Sequence, residues 1–87
     1  MRAETAEKVR TILREQVRLS SDVDKLGDQD DLFQAGLSSH ASVNLMLALE
    51  GGFDIEFPDE MLKRSTFESI ASISDAVDTL LGDEVAA

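Results

Sequence analysis

Apolar residues recur at helical spacing in three stretches of this chain, and a fourth, shorter stretch has the marks of a helical turn. From about residue 5 to 19, Ala6, Val9, Ile12, Leu13 and Val17 share one side. Glu7, Lys8, Arg10, Arg14, Glu15 and Arg18 occupy the other, and Ser20-Ser21-Asp22 closes the segment. A second helix is predicted over about 39–50, with Gly51-Gly52 as its C-terminal stop. Pro58 is suited to the first position of a short helix over about 58–63. Asp59 and Glu60 would lie near its positive end, and Met61 and Leu62 on its inward side. The last helix, about 69–81, is marked by Ile70, Ile73, Val77, Leu80 and Leu81 after Phe67. Ser65-Thr66-Phe67-Glu68 has capping-box spacing, and Ser69 is a second candidate cap. Gly82 stops this helix and leaves residues 83–87 as a frayed tail. The expectation is one all-α domain over residues 1–87, a small three-to-four-helix bundle.

Between the first two helices lies a loop of unusual length, about residues 20–38. Such a loop inside a small domain is functional or pinned. The pins are legible as Val23, Leu26, Leu32, Phe33 and Leu37, apolar residues in a polar stretch, with Gly27 and Gly36 supplying turns.

The second helix has more apolar residues than one buried stripe needs. With Ser39 at zero and about 100° per residue, Leu45, Leu49 and Met46 fall at roughly 240°, 280° and 340°, a single arc for the core. Val43 and Leu47 fall at roughly 40° and 80°, beside Ser39 and outside that arc; Glu50, His40 and Asn44 lie near 20°, 100° and 140°. A second apolar strip means either deeper burial or a docking face.

Composition narrows the field. The 87 residues hold four Phe, no Trp or Tyr and one Pro, so the core is aliphatic and a sheet is not expected. The net charge of −10 argues against nucleic-acid binding, which needs a basic face. Between Leu26 and Leu62 there are eight acidic residues and no Lys or Arg, an acidic middle that would steer basic partners or simply serve solubility. The absence of cysteine excludes disulfides, thiol chemistry and the usual zinc sites. No apolar leader or membrane-length stretch is present, so a cytoplasmic monomer that contacts neither membrane nor nucleic acid is expected.

Two patterns suggest chemistry. Asp22, Asp24, Gly27, Asp28 and Asp30 echo a calcium loop, but that register puts Leu26 at its fifth position and Phe33 where a bidentate Glu is required, so no metal site is assigned. Ser38 and Ser39 stand at the opening of the second helix. Its unpaired N–H groups and partial positive charge favour an attached phosphate. By local chemistry alone the pair reads first as an N-cap and its neighbour. His40, the sole histidine, has no nucleophile and orienting group arranged around it by sequence, so no catalytic residue is assigned.

From Asp31-Leu32-Phe33 through Gly36-Leu37-Ser38-Ser39-His40 to Phe53-Asp54-Ile55-Glu56-Phe57-Pro58-Asp59-Glu60, the chain resembles the acyl carrier protein family. The family motif is an Asp-Ser-Leu-like tripeptide opening a helix, and its counterpart here is Ser38-Ser39-His40. The resemblance implies a non-enzymatic carrier. Ser39 would bear a 4′-phosphopantetheine arm donated from coenzyme A by a phosphopantetheinyl transferase, and cargo would ride on the arm as a thioester. Ser38 would be the cap. His40, Val43, Asn44, Leu47 and Glu50 would then form the partner face.

The departures are consistent among themselves. Ser38 replaces the usual acid, His40 the usual Leu, and Asn44 and Gly51 stand where Glu is common. The Leu-Ser-Ser-His-Ala-Ser-Val string resembles a group of stand-alone bacterial carriers loaded with an amino acid by ligases similar to the catalytic domain of a seryl-tRNA synthetase. A small amino acid and a separate ATP-dependent ligase are therefore expected. The alternatives are a fatty-acid or polyketide carrier served by an acyl transferase, an unmodified helical adaptor using Val43 and Leu47, and a calcium-responsive module using the first loop.

Overall fold

In a computed structural model the described residues are 2–17, 19 and 22–82. The expectations for Arg18, Ser20, Ser21 and the 83–87 tail lie outside them. The described chain is all-helical: α1 (Ala3–Gln16), α2 (Ser39–Phe53) and α3 (Ile70–Leu80), with 3₁₀ turns at Val23–Lys25, Asp59–Met61 and Arg64–Phe67. Helix α1 packs on both α2 and α3. Leu13, Leu32, Leu45, Leu49, Ile70, Ile73, Val9 and Val77 are fully buried between them. The core is aliphatic apart from an edge-to-face pair of Phe57 and Phe67, centroids 5.5 Å apart.

The boundaries differ from the periodicity in instructive places. Helix α1 stops at Gln16, and Val17 is already extended. In extended chain alternate side chains share a face. Val17 therefore stays buried, and Leu19 packs half-buried on the core without a helix. Helix α2 runs through Gly51-Gly52 to Phe53 and is closed instead by Asp54, which takes the left-handed conformation at φ 55°. Gly52 is needed for packing: a Cβ there would meet Ile12 Cδ1 at 2.9 Å, so its bare backbone lets α1 approach α2.

The short helix expected over 58–63 is a single 3₁₀ turn at Asp59–Met61, followed by a second turn at Arg64–Phe67. Pro58 is the extended residue before the first turn rather than its opening residue, and Lys63 is extended before the second. This break leaves Leu62 45% exposed rather than inward. Helix α3 is capped by Ser69, not Ser65. The Ser69 hydroxyl accepts from the Ser72 N–H at 3.0 Å while Ser72 Oγ accepts from the Ser69 N–H at 3.1 Å.

The first loop is tied to the helices on two sides. Arg10 of α1 donates to the Val23 carbonyl at 2.7 Å and to Asp28 at 2.8 Å, and Arg14 pairs with Asp24. Towards α3, the Leu32 N–H donates to the Glu68 carbonyl at 2.7 Å and the Ala71 N–H to the Asp28 carbonyl at 2.9 Å. Asp22, Asp30 and Asp31 each accept from a loop N–H, of Asp24, Gly27 and Phe33 respectively. The calcium-like spacing is thus a set of Asx turns and arginine pairs. Among the described residues no group of three or more acidic, histidine or cysteine side chains could hold a metal.

Candidate functional site

The pinned loop delivers the chain to Ser38, which is extended at φ −91° and ψ 166° and caps α2 by accepting from the Ala41 N–H at 3.0 Å. The Ser38 carbonyl accepts from the Ser42 N–H at 2.9 Å. That leaves the N–H groups of Ser39 and His40 without an intrahelical acceptor at the positive end of a fifteen-residue helix. Ser39 is the first helical residue and is exposed. Its carbonyl accepts from Ser42 Oγ at 2.6 Å, while its own hydroxyl meets no hydrogen-bond partner among the described residues. The first turn of α2 holds no acidic side chain that would repel a phosphate.

Ser39 also sits on the rim of an open cleft of about 380 Å³. Helix α2 supplies one wall through Ser39, Ser42, Val43 and Met46. Phe33 of the first loop and Leu62, Lys63 and Arg64 from the junction of the two 3₁₀ turns supply the other, and Phe67 completes the lining. The Arg64 guanidinium lies 4.0 Å from the centre of the Phe33 ring. The residues therefore fit a phosphate-linked arm: a free hydroxyl, outward N–H groups and open space beside them.

The remaining partner-face residues divide. His40, Val43, Asn44 and Leu47 are exposed, Val43 by 51% and Leu47 by 56%. Glu50 is half-buried, and its carboxylate accepts from the Phe57 N–H at 2.9 Å. Through one carboxylate oxygen it anchors the segment that follows α2. The cleft adds Phe33, Ser42, Met46, Leu62, Lys63 and Arg64 to the site, none of which the helical periodicity had singled out for it. One signal for two of them was present. Lys63 and Arg64 are the only Lys or Arg residues after Lys25.

Residues 7–77 match the model of the phosphopantetheine attachment site family. The chain is 49% identical over 79 residues to an aminoacyl carrier protein of Agrobacterium fabrum (strain C58), an alignment covering 91% of this chain and 95% of the relative. Its fold is similar to a chain in the crystal structure of an engineered Bradyrhizobium japonicum glycine:[carrier protein] ligase complexed with carrier protein from Agrobacterium tumefaciens and ATP. The TM-score is 0.83 at 48% identity, over 86% of this chain and 97% of that one. A solution structure of an Agrobacterium tumefaciens protein matches with a TM-score of 0.71 at 48% identity, over 94% of this chain and 99% of the other.

Proposed function

Since the chain belongs to the phosphopantetheine attachment site family, within the acyl carrier proteins and nearest to aminoacyl carriers, we propose that Ser39 bears the arm and that a small amino acid is its cargo. The protein is a phosphopantetheine carrier and not itself an enzyme. When bound, the arm supplies a terminal thiol that holds cargo as a thioester. The chain's own contribution is attachment and recognition.

One observation carries the assignment of Ser39. Its hydroxyl is exposed and has no hydrogen-bond partner among the described residues, while the neighbouring Ser38 hydroxyl is engaged as the α2 cap. A transferase that takes the group from coenzyme A needs an accessible nucleophile at a helix N-terminus, and Ser39 meets that need. The cargo reading is supported by the identity to an aminoacyl carrier and by the likeness to the chain found with a glycine:[carrier protein] ligase. The loading enzyme is then an ATP-dependent amino acid ligase that docks on Val43 and Leu47, beside His40 and Asn44. The carrier acts as a monomer and in the cytoplasm, where coenzyme A and ATP are supplied. No helix of the described residues is long and apolar enough to cross a membrane.

The test is loading of the holo protein. Incubation with an amino acid:[carrier protein] ligase, ATP and glycine or alanine should add the aminoacyl mass as a hydroxylamine-sensitive thioester. Leu47→Arg should fold normally yet load at least tenfold more slowly, because docking would bury an unpaired charge. Efficient acylation by a malonyl transferase with none by the ligase would return the chain to fatty-acid or polyketide work.

A further inference from the structure

Resting on the assignment of the arm to Ser39, we propose that Lys63 and Arg64 form an anion-binding edge that draws the arm's phosphodiester to the cleft, where Phe33 and Leu62 receive its apolar portion.

Charge favours such an edge. The chain carries −10, and eight acidic residues with no Lys or Arg lie between Leu26 and Leu62. A phosphodiester attached at Ser39 adds another negative charge to that region. The two cations that follow Lys25 in sequence are adjacent to one another, and both line the cleft that contains Ser39. Neither has an ion-pair partner among the described residues. This contrasts with Arg10 and Arg14, whose charges are engaged by Asp28 and Asp24.

Arg64 is also pre-positioned. Its guanidinium is held 4.0 Å from the Phe33 ring centre, a contact that restricts the side chain while leaving N–H donors for an anion. Lys63 supplies a compact, mobile charge beside it. The break between the two 3₁₀ turns brings Leu62, Lys63 and Arg64 into the lining together, and the same break exposes Leu62. The cleft therefore offers cationic and apolar groups together, and the arm has the matching composition: an anionic phosphodiester followed by a gem-dimethyl segment.

Isotope-labelled protein converted to the holo form, with the added mass verified first, provides the test by NMR. The expected result is nuclear Overhauser contacts from the arm's methyl groups to Phe33 and Leu62, and apo-to-holo shifts at the Lys63 and Arg64 side chains. The ³¹P resonance should move in Lys63→Gln/Arg64→Gln relative to wild type. That difference should collapse at about 1 M salt, where screening acts within about 3 Å. Arg64→Lys, which keeps the charge but loses the planar stack, should retain the ³¹P position and lose the contacts to Phe33. If the double variant fails to fold, the wild-type contacts and shifts decide alone. A verified holo mass with shifts confined to residues 38–41 and no arm contacts would overturn the proposal while leaving the Ser39 assignment intact. No added mass at all would remove both.

Discussion

The two long sides of α2 carry similar residues and have opposite fates. On the inner side Leu45 and Leu49 are fully buried, and Gly52 lets Ile12 of α1 come close. On the outer side Val43 and Leu47 are about half exposed, next to a serine with a free hydroxyl. Hydrophobicity alone does not separate these sets. Their angular position about the helix does, and only one side has α1 packed against it. A helix with more apolar surface than its core uses has the remainder available for a partner.

The same charge placed on each side of α2 should separate the two faces most strongly. Leu49→Arg should abolish the cooperative urea transition, since it buries an unpaired cation and empties a core position at a cost of several kcal/mol. Leu47→Arg should stay within about 0.5 kcal/mol of wild type, as exposed positions do. Equal destabilisation by both would mean that Val43 and Leu47 belong to the core.

The loop that delivers Ser39 offers a second lever. Arg10→Ala removes donors to the Val23 carbonyl and to Asp28. It should cost about 1.5–3 kcal/mol and speed amide exchange at Leu32 and Ala71, whose N–H groups hold the loop to the α3 side. Unchanged exchange at both would show that the loop does not depend on this arginine.

The smallest effect comes from adjacent glycines. Gly51 has open space at its Cβ position, so Gly51→Ala should raise stability by about 0.5–1 kcal/mol through helix propensity. Gly52→Ala should lose most of that gain, because Ile12 Cδ1 must move aside from 2.9 Å. Thermal or urea midpoints of the two variants separate a glycine required for packing from one that only lowers helix propensity.

These cases also indicate what could be read from the sequence. The inner arc of α2 and the apolar pins Val23, Leu32 and Leu37 follow from spacing and hydropathy, and these residues are buried. The resemblance to carrier proteins makes Ser38 the cap of the second helix, and it caps α2. What escaped were pairings between distant positions that leave no periodic trace. Arg10 looked like a residue on the polar face of α1 and holds the first loop. Glu50, expected on the partner face, also anchors Phe57. Asp78 is buried because its carboxylate accepts from the Thr5 hydroxyl at 2.7 Å and the Arg2 N–H at 3.0 Å, which fastens the start of α1 to α3. The Ser69–Ser72 capping box was missed because serine occupies the position where glutamate is the usual signal. Lys63 and Arg64 line the cleft at the junction of the Asp59–Met61 and Arg64–Phe67 turns, at the end of the helix expected over 58–63.

Two adjacent hydroxyls are assigned different roles, Ser38 as cap and Ser39 as attachment point. Intact mass after incubation with coenzyme A and a broad-specificity phosphopantetheinyl transferase tests this assignment most directly. Wild type and Ser38→Ala should both gain one phosphopantetheine group, the latter at a stability cost of about 0.5–2 kcal/mol for the lost cap. Ser39→Ala should gain none. Modification of Ser39→Ala, or loss of modification in a folded Ser38→Ala, would contradict the account.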